Sequence, residues 1–548
     1  MESIEFNRTG NFWIDNGIVG LFKILSCLIE DNKIEVKLSP TSLKIEGESI
    51  DSIIDALNKA KDEVVSHYLK QTGAGWIFKD NEFEVYRKTD FKMHLKSFFT
   101  GKTPKTEGAL CIPEAKDSDL GSKGRRMTES EYKLFLDFKD KNSPVEIDDK
   151  KVPLTGKGFL NSAPRYEIGD VFNKSFLEKG KKICLISGEN YKEADVINGM
   201  NYPFLTGKSG EMNFASYLEG KPYISSKYAF VTLFSFDRVH YQLQQNGLKN
   251  YFLFYDTNLE KLYQFDNVIE LSLNSLTNKD DYCNFKLSII GTEYENESLF
   301  GFLVSVYEQA KRTLNRDIRK DVYTKRVFTF SNDGNIFRYV SEYGSLAQLF
   351  DLFEAFNRAD DEYFGFKYFL YLIAGFQKII PTQRGVRYDT TWRNQLCEAI
   401  LNFRSIARIV ERFFGEVKLK DDKASSIAYL DKIFEVYNEN NLADMNKDMV
   451  SKCKSIGTTI GIYSQKEEDK SVLFSLRNAK NRTEFLKVLS LIQFKIAESK
   501  KIEDNYKLRI YDEFFEGLPD SPQWEEYKAL VSIFAMNSFL YKPEKKQN

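Results

Sequence analysis

Past Ser341 the apolar residues change their period. Leu346, Leu349, Phe350, Phe353 and Phe356 recur at helical steps, and Phe485, Leu489, Ile492 and Ile496 do the same further on. One stripe per helix, repeated with little interruption, is the pattern of a helical bundle. Asn481 and Glu484 stand ahead of the later stripe as a capping pair. Before Ser341 the texture is mixed. A helix over 14–30 leads into "KIEVKLS" and "SLKIEG", which alternate as strands, and residues 50–69 read as helix again. "EFEVYR", "YFLFYDT" and "NFKLSIIG" read as further strands. Turn-rich stretches at 100–124, 139–158 and 202–222 separate these elements. The expected fold is α+β: a mixed amino-terminal region over 1–340, then a helical bundle over 341–548.

The stretch "NFWIDNGIVGLFKIL" from Asn11 is not a targeting segment, since Glu2 and Glu5 precede it and Asp15 interrupts it. Asp15 or Asn16 is placed to cap a helix, on which Ile18, Leu21, Phe22 and Leu25 form one stripe. Gly17 and Gly20 keep that helix narrow, so a second backbone can approach closely. Asn11–Trp13 is expected to face a neighbouring molecule. At 363–376, "YFGFKYFLYLIAGF" is too short to span a bilayer, carries Lys367, and is expected to be a buried core helix. The chain is therefore expected to be soluble and cytoplasmic, with no membrane partner.

Six cysteines (Cys27, Cys111, Cys184, Cys283, Cys397, Cys453) lie singly, which argues for reduced thiols and against a disulfide framework or an intact zinc site. With only His67, His94 and His240, histidine-based metal clusters and dyads are improbable, and no hydrolase, zincin or P-loop motif is present. No cofactor is expected. One nuclease-like order exists: Asp15 followed by Glu35 and Lys37, a D…ExK arrangement in which two carboxylates would hold magnesium. It is short and frequent by chance. Asp15 also serves as a helix cap, and Glu35 and Lys37 alternate along an ordinary strand.

The net charge is only -2, so any grip on a polyanion must come from local patches. "YRKTDFKMHLKSFFTGKTPK" at 86–105 sets Arg87, Lys88, Lys92, Lys96, Lys102 and Lys105 against Asp90 alone, with Tyr86, Phe91, Phe98 and Phe99 interleaved. Lysines bind phosphates, and exposed aromatics stack on bases or wedge into a groove. "GSKGRR" adds Lys123, Arg125 and Arg126 on a glycine-rich loop, from which guanidinium forks can read base edges. A second cluster spans 311–326, where Arg312, Arg316 and Arg319 share a helical face and Lys320 follows. Arg404, Arg408 and Arg412 stand one turn apart, with Arg393 upstream on the same side. Like charges at that spacing repel unless an anion lies opposite, whether nucleic acid or carboxylates of the bundle.

Three segments together resemble one family. They are "TGNFWIDNGIVGLFKIL", "GFLNSAPRYEIGDVF" with "KKICLISGEN", and "CKSIGTTIGIYSQKEEDKSVLFSLRNAKNRTEFLKVLSLIQF". The family is the large subunit of the CRISPR type I-B Cascade complex, near its subgroup with paired CxxC motifs. Where that subgroup carries its first pair, Cys184 and Gly188 remain and Ser187 takes the second cysteine position. The second pair would fall near "YISSKYAFVTLFSF", which has none. The resemblance implies a degenerate finger near 180–235 held by packing rather than zinc. It also implies a non-catalytic protein that recognises the protospacer-adjacent motif in target duplex DNA and assists R-loop formation. Its partners would be crRNA, backbone and handle-end subunits, a small subunit and a recruited helicase–nuclease. Residues 449–548 resemble a small-subunit-like module, for which Met445 and Met449 are candidate internal starts. On this basis 86–126 is expected to meet duplex DNA, and the arginine stripes the displaced strand or guide backbone.

Overall fold

The computed structural model describes residues 1–29, 34–99, 104–105, 108–120, 123–147, 149–154, 157–197, 199, 201–204, 222–244, 247–273, 294–314, 319–332, 337–359, 365–383, 385–421, 424–441, 447–502, 518 and 523–541. The fold is α+β, mixed first and helical afterwards. Two compact units form, one from Met1–Leu271 with Thr324–Glu342, the other from Phe285–Tyr323 with Tyr343–Asn548. The helix at 295–314 thus belongs with the bundle, ahead of the point where the period changes.

In the first unit, β1 (Glu2–Asn7), β2 (Ile34–Leu38) and β3 (Ser42–Gly47) make an antiparallel sheet in the order β1-β3-β2. Alternation drives it: Ile4, Phe6, Leu43 and Ile45 are buried while Glu2, Glu5 and Glu35 face out. Helices α1 (Phe12–Cys27) and α2 (Ile50–Tyr68) belong to the same unit. The cap of α1 is Asn11, whose side chain accepts from the backbone N–H of Trp13 at 3.0 Å and of Ile14 at 3.2 Å. Neither Asp15 nor Asn16 caps it. Asp15 sits inside the first turn and turns back to accept from Thr9 N at 2.7 Å, Thr9 Oγ1 at 2.9 Å, Gly10 N at 3.1 Å and Tyr255 Oη at 3.2 Å. Gly17 and Gly20 admit a second backbone, as the spacing requires. A Cβ at either would overlap the carbonyl oxygen of Val231 or Phe234, respectively.

A second sheet follows, built from β4 (Leu69–Lys79), β5 (Glu82–Phe91), β6 (Ala109–Cys111), β7 (Arg125–Arg126) and, after helix α3 (Glu129–Asn142) and the hairpin β8 (Val145–Ile147)–β9 (Lys150–Val152), β10 (Lys157–Leu160). Its order is β5-β4-β10-β6-β7. Trp76, Phe78 and Leu110 on one face pack with Phe135 of α3. The hairpin lies inside the stretch read from sequence as a turn-rich loop, because three-residue strands carry too little alternation to register. Short ladders β11 (Lys182–Ile183) with β12 (Asn190–Tyr191) and β13 (Ala194–Val196) with β14 (Tyr223–Ser225) lead into α4 (Ser226–Val231). A four-stranded sheet of β15 (His240–Leu243), β16 (Lys249–Tyr255), β17 (Arg326–Asn332) and β18 (Phe337–Tyr343) completes the unit. Its β16–β17 seam is locked by Lys325, whose ammonium lies 2.7 Å from the buried Asp256 carboxylate. "NFKLSIIG" lies outside the described residues, as does Cys283.

The second unit runs through α6 (Glu295–Leu314), α7 (Arg319–Val322), α8 (Leu346–Arg358), α9 (Phe366–Ala374), the hairpin β19 (Lys378–Thr382)–β20 (Gly385–Asp389), α10 (Thr391–Leu401), α11 (Ala407–Glu416), α12 (Leu430–Asn441), α13 (Lys447–Glu467), α14 (Ser471–Asn478), α15 (Arg482–Glu498) and α16 (Gln523–Phe539), with α5 (Leu259–Leu273) preceding them in the chain. Both apolar stripes are buried, and Asn481 caps α15 by accepting from Glu484 N at 2.8 Å. The aromatic run at 363–376 gives α9, buried through Phe366, Phe369, Leu370, Leu372 and Ile373. No helix among the described residues is long and apolar enough to cross a membrane. Helices α13 and α16 meet through Gly457 and Gly461, whose added Cβ atoms would strike the α16 backbone at Val531 and Ala535. The carboxy-terminal segment is not separate from what precedes it: Asn537 of α16 accepts from Ile427 N at 2.7 Å and donates back to its carbonyl at 3.0 Å.

Candidate nucleic-acid interface

The aromatics of 86–105 divide sharply. Phe91, Phe98 and Phe99 are buried, not displayed. Phe98 stacks on Trp13 at 5.9 Å and meets Phe236 at 5.0 Å and Tyr251 at 5.0 Å. Trp13 itself is fully buried and so faces no neighbouring molecule. These side chains make the core of the first unit, which corrects the expectation that they stack on bases or meet a partner. Tyr86 alone stays half-exposed, on the sheet face opposite α3.

The basic residues divide as well. Lys96 pairs with Asp90 at 3.0 Å, and Lys105 with Glu167. Arg87 donates to Gln71 Oε1 at 3.0 Å. The "GSKGRR" arginines are not on an open loop. They form the short edge strand β7, which runs parallel to β6. Arg125 grips Glu131 of α3 with two parallel bonds of 2.7 Å, and Arg126 bonds Asp117 and the carbonyl of Ala115. The Arg125 guanidinium holds the Glu131 carboxyl down at about 2. Reading base edges from here requires those carboxylates to be exchanged for a nucleic acid. Exposed ion pairs are worth only ~0–1 kcal/mol, so a phosphate can compete for them. Of the cations singled out from the sequence in this region, Lys88, half-buried on β5, and Lys123, exposed ahead of β7, have no ion-pair or hydrogen-bonding side-chain partner among the described residues. Burial holds the Lys88 amine below its usual range. Lys92 bonds the Tyr68 carbonyl through its backbone N–H at 2.8 Å, and Lys102 lies outside the described residues.

In the second unit the supposed arginine stripes come apart. Arg393 is buried: it bonds Glu297 Oε1 at 2.9 Å, the Ala374 carbonyl at 2.7 Å and Gln377 Oε1 at 2.6 Å. It clamps α10 to α6 and cannot touch a strand. Arg404 precedes α11 rather than lying on it, because the helix period breaks between Leu401 and Ala407. Its side chain is exposed and has no partner among the described residues. Arg408 pairs with Glu525 and Glu526, and Arg412 with Glu416 at 3.6 Å while its guanidinium lies over Trp392. These are the bundle carboxylates that the sequence left as the alternative anion. Arg312 ends on α6 and Arg316 lies outside the described residues. Arg319 belongs to α7 and pairs with Asp351 at 3.0 Å, while its neighbour Lys320 is exposed.

One feature of this unit went unread in the sequence. The hairpin β19–β20 pairs Ile379 with Tyr388 and Pro381 with Val386 on one face, and all four are exposed. Lys378 and Arg387 stand on the other face. The "KIIPT" alternation before Gly385 is its sequence signal.

Residues 182–191 and 223–226 lie together. Cys184 begins a tight turn closed by Gly188 N on its carbonyl at 2.8 Å, with Gly188 at φ +72°. The turn lies against β14: Leu185 N donates to the Tyr223 carbonyl at 2.8 Å. The Cys184 sulfur, fully buried, accepts from Ser225 N at 3.3 Å where α4 begins. Burial pushes the thiol up, but the N–H groups of Ser225, Ser187 and Ile186 and the Ser187 hydroxyl outweigh it and hold it below the usual range. Residues 184–188 and 223–225 are thus joined in space. Of the nuclease-like trio, Asp15 is buried with its oxygens engaged as above, and Glu35 is exposed beside Lys37 at 3.0 Å. Among the described residues no group of three or more His, Cys, Asp or Glu is placed to hold a metal ion.

No protein-family model matches the chain. No curated protein matches it either.

Proposed function

We propose that this chain is a non-catalytic, nucleic-acid-binding large subunit of a Cascade-type RNA-guided complex. In it the chain probes duplex DNA for a short motif, assists strand opening and offers a surface to a helicase–nuclease. The observation that carries the reading is the union of Cys184 with Ser225. Residues 184–188 and 223–226 are far apart in the chain, and the resemblance alone gave a reason for them to meet. Gly17 and Gly20, closed against Val231 and Phe234, tie a second resembling segment to the same finger. Sequence discrimination in such a complex belongs to guide pairing, so a near-neutral chain with a few cationic groups meets the demand. Lys88, Lys123 and Arg404 are the first contacts on this reading, and the paired Arg125, Arg126 and Arg408 are reserves that a polyanion draws out of exposed ion pairs.

The test is to purify the tagged chain from its own cells and sequence the RNA that travels with it. The reading expects short guide RNAs sharing one repeat-derived 5′ end, together with other subunits. Purification without RNA or partners would overturn it. The same preparation, given magnesium and labelled duplex, is expected to leave the DNA intact. Cleavage abolished by Glu35→Ala would establish a metal-dependent nuclease of a stand-alone defence system instead.

A further inference from the structure

We propose that the β5–β4–β10 part of the sheet face opposite α3 is a platform for unpaired nucleotides, with Tyr86 and Phe159 stacking bases and Lys88 holding a phosphate. This rests on the nucleic-acid reading above and deepens it, since it names a single strand where the sequence pointed to a duplex. The pleat decides which side chains share the face. Trp76 points toward α3, and Gly158 beside it is the residue whose Cβ would strike the indole. The alternate positions therefore point the other way: Gly73, Gly75 and Ile77 on β4, Lys88, Tyr86 and Glu84 opposite them on β5, and Phe159 beside Ile77 on β10. The Tyr86 ring lies over Gly75, where any Cβ would collide with it. A bare backbone lets the ring settle onto the sheet, where it stays half-exposed. Phe159 meets it at 6.1 Å with the planes 68° apart, and both rings are half-exposed. Ile77, buried between the two strands, makes the floor.

Charge selects the occupant. Lys88 is half-buried on this face and has neither a hydrogen-bonding nor an ion-pair side-chain partner among the described residues. Its amine is held below its usual range by burial alone, so an anion seated beside it would restore what burial takes away. Lys157 adds a second cation at the neighbouring end of β10, next to Cys111 of β6. Arg126 on β7 shares the face and is engaged by Asp117. Three carboxylates of β5 share this face, Glu82, Glu84 beside Ile77, and Asp90, the last already engaged by Lys96 at 3.0 Å and by the Tyr166 hydroxyl at 3.3 Å. Two ring faces flanked by cations suit unpaired bases, whose π-faces are open, and not a duplex, whose bases are covered by their neighbours.

The experiment measures binding of the full chain to fluorescein-labelled oligothymidylate, oligouridylate and a duplex across a salt series. Tyr86→Ala with Phe159→Ala is expected to weaken single-strand binding at least ~10-fold, and Tyr86→Phe to leave it unchanged. Lys88→Ala is expected to lower the log–log salt slope by about 0.7. Preference for either sugar supports the platform and says which strand it serves. Should the double variant lose its unfolding transition, Lys88→Ala decides, and an unchanged slope and affinity overturn the proposal. Wild-type chain that binds duplex but no single strand overturns the platform alone. Failure to bind either overturns the nucleic-acid reading with it.

Discussion

Arg393 and Glu297 form a sealed pair, guanidinium to carboxylate at 2.9 Å, with Thr390 Oγ1 donating to the same carboxylate at 3.0 Å. Both side chains are almost without solvent contact. Removing one partner strands the other's charge in the bundle, so Arg393→Ala is expected to cost ~3–5 kcal/mol of stability. Replacing both by apolar residues of similar volume is expected to recover most of that loss. Denaturant unfolding of the single and double variants checks it. A single variant as stable as wild type would show that the pair does not hold α6 to α10.

The first helix makes a packing prediction. Gly17→Ala pushes a methyl into the Val231 carbonyl, and overpacking of this kind costs ~1–3 kcal/mol. Trp13→Ala empties the centre of the aromatic core and is expected to cost ~3–5 kcal/mol. Thermal melts of the two variants, each lower than wild type and Trp13→Ala lower still, are the expected result.

Cys184 supplies a test of the finger-like turn. Cys184→Ala removes the acceptor of Ser225 N and leaves a buried donor unmet, for an expected loss of ~1–3 kcal/mol. Cys184→Ser keeps an acceptor there and is expected to lose less. Equal stability of the two variants in urea would mean that the N–H···S bond contributes nothing.

Glu131 carries a pH dependence. Its folded carboxyl is held at about 2, below the ordinary 4.5, chiefly by Arg125. A depressed carboxyl stabilises the fold fully above the ordinary value, and that contribution fades as pH falls from 4.5 through about 2. Glu131→Gln is expected to flatten the acid limb of the stability curve in that window. It also releases Arg125, so duplex binding at neutral pH is expected to tighten. Glu131→Gln binding more weakly than wild type would place Arg125 outside the interface.

The elements with long regular periods were legible in the sequence. Leu346–Phe356, Phe485–Ile496 and the alternating strand around Ile45 fold as their patterns require, since each pattern is the burial pattern itself, whereas the strand around Val85 forms with Val85 exposed. The site was legible only as a list of charges. Nothing local told Phe98 that Trp13 and Tyr251 would enclose it, and Asp117 and Glu131 meet Arg126 and Arg125 only once β7 joins the sheet. Arg393 shared a helical side with later arginines on paper, but the break before Ala407 and the burial of Glu297 remove it from them. The platform face around Tyr86 was invisible because it depends on β10 lying beside β4, a parallel pairing between distant segments.

The central claim is that unpartnered cations of residues 86–126 meet phosphate. Its most direct measurement is the salt dependence of duplex binding by wild type and by Lys123→Ala. A lost duplex contact flattens the log–log slope by about 0.9, so the variant is expected to fall short of wild type by that amount. Identical slopes and affinities for the two proteins would contradict the account.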